Sequence, residues 1–335
     1  MSILKDSYQR TIDYLRISIT DRCNLRCVYC MPSEDLIPIE HKETLRYEEI
    51  VRVIRIAVGI GVRKVRITGG EPLVRKDVDY LIATIRNIEG IKDLSLTTNG
   101  ILLSKYADKL VEAGLERINI SLDSLRPDRY EEITRGGDLK LVLRGIEAAE
   151  KAGLKPIKIN IVPIRGLNSD EIEEFAKITL KFPYQIRFIE FMPFGTEGLW
   201  SSEKFISSDE IKSIVEGIGP LTPVKLKRAG PARYFHFEGA PGVIGFISPI
   251  SNHFCGECNR LRLTADGKLR PCLFSETEID LKPALRGGAP DDEIKRLFEL
   301  SIEVKPESHH IQNAELWSLM KNREHCRRPM SRIGG

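Results

Sequence analysis

Three cysteines, Cys23, Cys27 and Cys30, stand within the stretch TDRCNLRCVYCMP at the spacing C-x3-C-x2-C. Thiolates four and three positions apart on one tight loop can wrap a single face of a small cluster. The count decides the chemistry. An iron–sulfur cube held by three thiolates keeps one iron open to another molecule, whereas a structural zinc needs a distant fourth ligand such as a histidine. A second set, Cys255, Cys258 and Cys272, lies in HFCGECNRLRLTADGKLRPCLF at C-x2-C-x13-C. Taken alone it reads equally as half of a zinc ribbon, with His253 able to complete a Cys3His site. Arg260 and Arg262, just downstream, suit a phosphate ligand or a nucleic-acid patch. Cys326, in a basic tail, is left over as a free thiol.

A chain of 335 residues can bury a substantial core without staples, so a metal here is expected to be functional. With 41% hydrophobic and 30% charged residues the composition is that of a soluble globular protein, and no apolar run is long enough to span a membrane. The opening MSILKDSYQRT lacks the apolar core of a signal peptide. A cytoplasmic protein is expected. In that reducing compartment seven cysteines point to metal binding or redox chemistry rather than disulfides. A formal net charge of +3 makes no case for nucleic acid over the whole chain, and the basic stretches at 225–233 and 321–332 are local.

The elements that must position these residues alternate through the first two thirds of the chain. Runs of β type begin near Tyr14, Val65, Leu94, Arg117, Pro156 and Gln185, separated by helical patterns. One helix, YEEIVRVIRIAVGIG, places Ile50, Val53, Ile54 and Ala57 on one apolar face; another is LKLVLRGIEAAEKAG. Repeated strand, helix, strand predicts a parallel sheet with right-handed crossovers. The strands themselves alternate: Leu15, Ile17 and Ile19 against Arg16 and Ser18, Val65 and Ile67 against Arg66 and Thr68, Ile157, Ile159 and Ile161 against Lys158 and Asn160. Strands buried on both faces would be almost continuously apolar. One dry face and one polar face predict a barrel with helices outside and a polar ligand in its lumen. The first triad then falls on the C-terminal rim, where barrel enzymes keep their active sites. After about residue 220 the chain turns to Gly- and Pro-rich turns and short strand-like pieces, RYFHF, GVIGFIS and KLRPCLF, with one amphipathic helix at 291–300. The expected division is 1–222 for the partial barrel and 223–335 for a smaller second unit.

C-x3-C-x2-C with an aromatic residue before the last cysteine is similar to the signature of the radical S-adenosylmethionine (SAM) superfamily. ITGGEP at 67–72, which ends a predicted strand, resembles that superfamily's glycine-rich segment. Together with the second cysteine set, IEFMP at 189–193 and the terminal Gly334-Gly335, the pattern resembles one family, the GTP 3′,8-cyclases of molybdenum-cofactor biosynthesis. The resemblance covers essentially the whole chain.

It implies an α/β fold: an incomplete TIM-type (β/α)6 barrel closed by a C-terminal α+β extension. It implies two [4Fe–4S] clusters, one on Cys23, Cys27 and Cys30 whose open iron chelates SAM, and one on Cys255, Cys258 and Cys272 whose open iron meets guanine. Tyr29, Gly70, Ser121 and Met192 would line the SAM site. Arg16, Arg66, Thr97 and Lys158, with Arg260, Leu261 and Arg262, would contact GTP, and the Gly334-Gly335 tail would reach the active site. The implied reaction is that of a lyase: a 5′-deoxyadenosyl radical removes the C3′ hydrogen of GTP, and the carbon radical attacks C8. No general acid or base is assigned. Implied partners are an external one-electron donor, the downstream cyclic pyranopterin monophosphate synthase as product acceptor, and a second copy in a homodimer.

Two other readings use the same residues. One is a radical SAM enzyme that modifies a peptide, with the second cluster auxiliary; the other is a zinc-dependent nucleic-acid-binding protein using the basic patches. No G-x4-G-K-[ST] loop exists: DGKL at 266–269 lacks the hydroxyl residue, and GIG at 59–61 is too short for a dinucleotide fingerprint and is expected to close a helix. Phosphates must then be met by arginine and lysine side chains.

Overall fold

The computed structural model describes residues 4–31, 37–193, 199–226, 230–309 and 330–334. Gly335, Cys326, residues 227–229 of the first basic stretch and 321–329 of the second lie outside the described residues.

Six strands, β1 (Tyr14–Ser18), β2 (Lys64–Thr68), β3 (Asp93–Thr98), β4 (Arg117–Ser121), β5 (Ile157–Ile161) and β6 (Gln185–Ile189), pair in parallel and in chain order. These are the strands expected from alternation. Helices α1 (Tyr47–Gly59), α2 (Val78–Arg86), α3 (Leu103–Glu112), α4 (Pro127–Thr134), α5 (Leu139–Lys151) and α6 (Ile172–Ile178) form the crossovers, and α7 (Ser208–Glu216) follows β6. The apolar stripe of α1 buries Ile50, Val53, Ile54 and Ala57, as its 3.6-residue period requires. Its start is fixed by Glu49, whose carboxylate accepts from Arg46 N at 2.7 Å. Helix α5 starts on Asp138, which accepts from Lys140 N at 2.8 Å.

The later elements are β7 (Leu221–Val224), β8 (Arg233–Phe237), β9 (Val243–Ile247), β10 (Arg260–Leu263), β11 (Lys268–Arg270), β12 (Ile279–Asp280), α8 (Lys282–Arg286) and α9 (Asp291–Glu303). They extend the same sheet. Strand β9 joins β6 in parallel and β10 joins β1 in parallel, with antiparallel strands beyond each, giving the order β12-β11-β10-β1-β2-β3-β4-β5-β6-β9-β8-β7. The ends of that order are different strands, so hydrogen bonds do not close the barrel. The fold is an incomplete (β/α)6 barrel with an α+β extension flanking both sides. The strand-like KLRPCLF yields only Lys268–Arg270. Pro271 has no N–H for a ladder, so Cys272 falls in the turn beyond.

The alternation sorts side chains cleanly. Leu15, Ile17, Val65, Ile67, Leu96, Ile118, Ile120, Ile159, Ile186 and Phe188 form the core beneath the helices. The opposite face carries Arg16, Arg66, Arg117, Lys158, Arg187 and Arg262, and most of it is as buried as the core: Lys158 is 2% exposed, Arg187 4% and Arg66 9%. The face read as wet is a charged interior.

Helices α3 and α5 approach closely over Gly145. A Cβ there would lie 2.4 Å from the Gly100 carbonyl oxygen and 3.1 Å from Leu103 Cβ. The helix-propensity gain of alanine, about 1 kcal/mol, is outweighed because a backbone carbonyl in a packed turn yields little. Gly145→Ala is expected to destabilise the fold by about 1–3 kcal/mol, read as a lowered thermal midpoint. An unchanged or raised midpoint would show that the helices have room to part.

Candidate active site

Beyond Ser18 the chain crosses the C-terminal rim of the barrel as the loop bearing Cys23, Cys27 and Cys30. Both flanks of this loop are pinned. Gly70 N donates to Thr20 O at 2.7 Å and Glu71 N to Arg22 O at 2.8 Å, while Arg26 N and Val28 N donate to Thr134 O (3.0 Å) and Ile133 O (2.9 Å) at the end of α4. From the second pinned point, Cys30 N and Met31 N both reach Cys27 O at 3.0 Å, a tight turn that gathers the last two cysteines. The glycines of TGGEP let the second loop lie against the first: a Cβ on Gly70 would sit 2.4 Å from Arg22 O, and one on Gly69 2.6 Å from Thr20 O. Leu25 N (3.4 Å) and Asn99 Nδ2 (3.8 Å) point at Cys23 Sγ. Burial pushes the Cys23 thiol up to about 11 and the Cys30 thiol up to about 12, and lifts Cys27 well above its ordinary value. Such thiols ionise when a metal supplies the positive charge.

The same rim collects the residues expected for SAM. The Tyr29 hydroxyl donates to Asp123 Oδ2 at 2.5 Å, and Asp123 Oδ1 accepts from Val162 N at 2.8 Å, which ties the cysteine loop to β5. Ser121 ends β4, Gly70 follows β2, and Met192 follows β6. Two buried carboxylates hold the loops in place. Glu71 accepts from Leu73 N (3.0 Å), Thr98 Oγ1 (2.7 Å) and Asn99 N (2.6 Å), and burial raises it to about 7. Glu190 of IEFMP accepts from Ser208 N, Ile250 N and Ser251 N at 2.8–3.0 Å.

Below the rim, the lumen face is set by register. Arg262, Arg16, Arg66 and Ser95 lie side by side on β10, β1, β2 and β3, and Thr97, Asn119 and Lys158 on β3, β4 and β5. Arg117 is satisfied by a bidentate pair with Asp93 at 2.7 and 2.6 Å. Among the described residues no carboxylate forms an ion pair with Arg16, Arg66, Lys158, Arg187 or Arg262. Arg187 Nη2 reaches Asn119 Oδ1 at 2.6 Å and Arg66 Nε reaches Ser95 Oγ at 3.3 Å. Arg16 Nε, Arg187 Nε, Thr97 Oγ1 and Asn160 Oδ1 are buried without a hydrogen-bond partner. Burial brings Arg66 down to about 9 and Lys158 down to about 6, with neighbouring arginines pushing the same way. Several mutually repelling cations beside open polar atoms fit a polyanion.

The second triad sits at the other end of these strands. Cys255 opens a single 3-10 turn, with Cys258 N on Cys255 O at 3.1 Å, and β10 starts two residues later, where Arg260 pairs with Tyr14. Burial raises Cys255. Burial pushes Cys258 up too, but Arg260 and Lys305 beside it more than offset this and bring it down to about 6. Burial draws the Lys305 ammonium down, while the neighbouring Cys258 and Cys272 sulfurs favour its charged form. Because Cys258 adjoins the start of β10 and Cys23 follows the end of β1, roughly 16 Å of strand lies between the triads. Among the described residues no three histidine, cysteine or carboxylate side chains converge on one ion. His253 packs instead edge to face against His309 at 5.3 Å. Cys255 and Cys258 share the 3-10 turn and Cys272 follows the end of β11, three thiols that suit a cluster keeping one position open.

The C-terminal Gly334 enters the mouth of the lumen. Arg262 Nη1 donates to Gly334 O, and a Cβ on Gly334 would lie 2.3 Å from Thr68 Oγ1 and 3.1 Å from Ser18 Cβ. The structure therefore gathers every described candidate at the rim, in the lumen or at its far end, except the Leu261 side chain, which faces the core. Sequence reasoning passed over Arg187, Asn119, Asp123, Glu190 and Lys305. Arg187 was within reach, since it holds a polar-face position in the QIRFIEFM alternation.

A partial barrel with three cysteines on its first loop defines the radical SAM class, and residues 17–178 match the Radical SAM superfamily while 184–311 match Molybdenum Cofactor Synthesis C. The fold is shared with native anSMEcpe with bound AdoMet (TM-score 0.56, 16% identity, 94% of this chain and 88% of that one). It is shared also with Streptococcus suis SuiB bound to precursor peptide SuiA (TM-score 0.58, 17% identity, 82% of this chain and 63% of that one). The chain is 52% identical to the GTP 3′,8-cyclase of Thermodesulfovibrio yellowstonii over 99% of its length and all of that protein's. It is 50% identical to that of Alkaliphilus oremlandii over the same shares. The chain belongs to the GTP 3′,8-cyclase family.

Proposed function

We propose that the chain converts GTP into (8S)-3′,8-cyclo-7,8-dihydroguanosine 5′-triphosphate, the first step of molybdenum-cofactor biosynthesis, with SAM and two [4Fe–4S] clusters as cofactors. Cys23, Cys27 and Cys30 hold the SAM cluster, and Tyr29, Gly70, Ser121 and Met192 line the SAM site. Cys255, Cys258 and Cys272 hold the second cluster. GTP is contacted by Arg16, Arg66, Thr97, Lys158, Arg260, Leu261 and Arg262. The observation that carries this reading is the row of basic side chains between the two triads, of which Arg16, Arg66, Lys158, Arg187 and Arg262 have no carboxylate ion pair among the described residues. The work divides at about residue 222, the first part holding the SAM machinery and 223–335 the second cluster and the tail.

When bound, the cluster and SAM would supply the one-electron chemistry that activates the C3′ position of GTP. The chain's own residues hold and enclose. Arginines paired in register fix the phosphates, so ribose and base have one position along the strands. Gly334, held by Arg262, occupies the mouth beside Ser18 and Thr68 and helps keep water out. An external one-electron donor, delivery of the product to cyclic pyranopterin monophosphate synthase, a homodimer and a cytoplasmic location complete the proposal. Among the described residues no helix is long and apolar enough to cross a membrane.

Cys23→Ser is expected to abolish SAM cleavage, whereas Cys255→Ser keeps reductant-driven deoxyadenosine formation and loses cyclisation of GTP. Intact cyclisation in Cys255→Ser, assayed anaerobically, would remove the second triad from the substrate site. A second test uses Lys158, which at about 6 is largely a neutral amine at pH 7.5 in the free protein. A triphosphate beside it raises that value, so GTP binding takes up a proton and weakens as pH rises. Calorimetry in buffers of different ionisation enthalpy is expected to show more uptake for the natural chain than for Lys158→Arg, which keeps its charge throughout. Equal uptake by both would place Lys158 away from the phosphates.

A further inference from the structure

Lys305 follows the C-terminus of α9 and is 3% exposed. Its ammonium spends its donors in three directions: Cys258 Sγ at 3.7 Å, Arg260 O at 2.9 Å and Pro271 O at 2.6 Å. These acceptors belong to the two arms of the second triad. Arg260 is two residues beyond Cys258, and Pro271 immediately precedes Cys272. One side chain thus bridges a turn and a strand end that are separated by the whole β10–β11 hairpin. A buried ammonium needs a counter-charge. Among the described residues no carboxylate pairs with it, and the Cys258 sulfur is the acidic side-chain atom it touches.

We propose that Lys305 is a positioning residue for the second cluster, clamping the Cys258 and Cys272 arms together and balancing the negative charge of the thiolate-bound cluster. The inference rests on the assignment of Cys255, Cys258 and Cys272 to that cluster. A positive charge beside the sulfurs favours the more negative, reduced form, so its removal lowers the reduction potential.

The test uses the full-length chain, reconstituted anaerobically, with the first triad changed to serine so that one cluster is read. Lys305→Met, Lys305→Gln and Lys305→Arg are compared by iron content and by redox titration of the electron paramagnetic resonance signal. The expected result is a more negative midpoint in Lys305→Met and Lys305→Gln, with Lys305→Arg close to the natural residue. Loss of the cluster in the two neutral variants with retention in Lys305→Arg also supports the clamp. An unchanged midpoint and iron content in Lys305→Met overturns it, as does loss of the cluster in all three. Failure of the cysteine assignment is separate: in that case Cys258→Ser leaves the signal in place.

Discussion

Five basic side chains, Arg16, Arg66, Lys158, Arg187 and Arg262, face one barrel interior in which, among the described residues, no carboxylate forms an ion pair with them and Asp93 is taken by Arg117; this is the constraint from which the rest of the structure follows. Burying charge without a partner is costly, and like charges at neighbouring register positions add repulsion. A fold can carry that cost when the ligand brings the missing charge and the scaffold is stiff enough to hold the cations apart until it arrives. The helices outside supply the stiffness. Their apolar stripes seal Leu15, Ile17, Val65, Ile67 and Ile118 into a continuous core, so that strands with an unfavourable inner face are held by a favourable outer one.

The same parallel geometry separates two chemistries along one strand pair. Strand β1 leads into the first cysteine loop at its C-terminal end, and β10, beside it in parallel, begins just after the second triad. Whatever lies along Arg16 and Arg262 therefore has one triad at each end. The environments of the two triads differ accordingly. In the first, burial dominates and all three thiols are raised; in the second, Arg260 and Lys305 crowd Cys258 and lower it to about 6. Gly334 sits at the mouth with φ +82°, where an added Cβ would lie 2.3 Å from Thr68 Oγ1.

Much of this was legible in the sequence because it is local. Period-two alternation located β1 to β6, and period 3.6 located the buried face of α1. The cysteine spacings survive as turns because C-x2-C and C-x3-C are short enough for one loop to build. What escaped was non-local. The pairing of Tyr14 with Arg260, which places the second triad, joins positions 246 residues apart, and no window of the sequence contains both. Lys305 carries no periodic signal, since it follows a helix end in KPES and acts only through a hairpin that folds under it. Arg187 shows the intermediate case: its strand was recognised, but its partner, Asn119, comes from β4, two strands away across β5.

The central claim is that the lumen is built for a polyphosphate. Thermal unfolding of the anaerobic, cluster-loaded protein in the presence of GTP, inorganic triphosphate or guanosine tests it most directly, because a ligand raises the midpoint only through binding to the folded state. The account predicts a raised midpoint with GTP, a raised midpoint with inorganic triphosphate alone, and little change with guanosine. A midpoint raised by guanosine as much as by GTP, with no response to inorganic triphosphate, would contradict it.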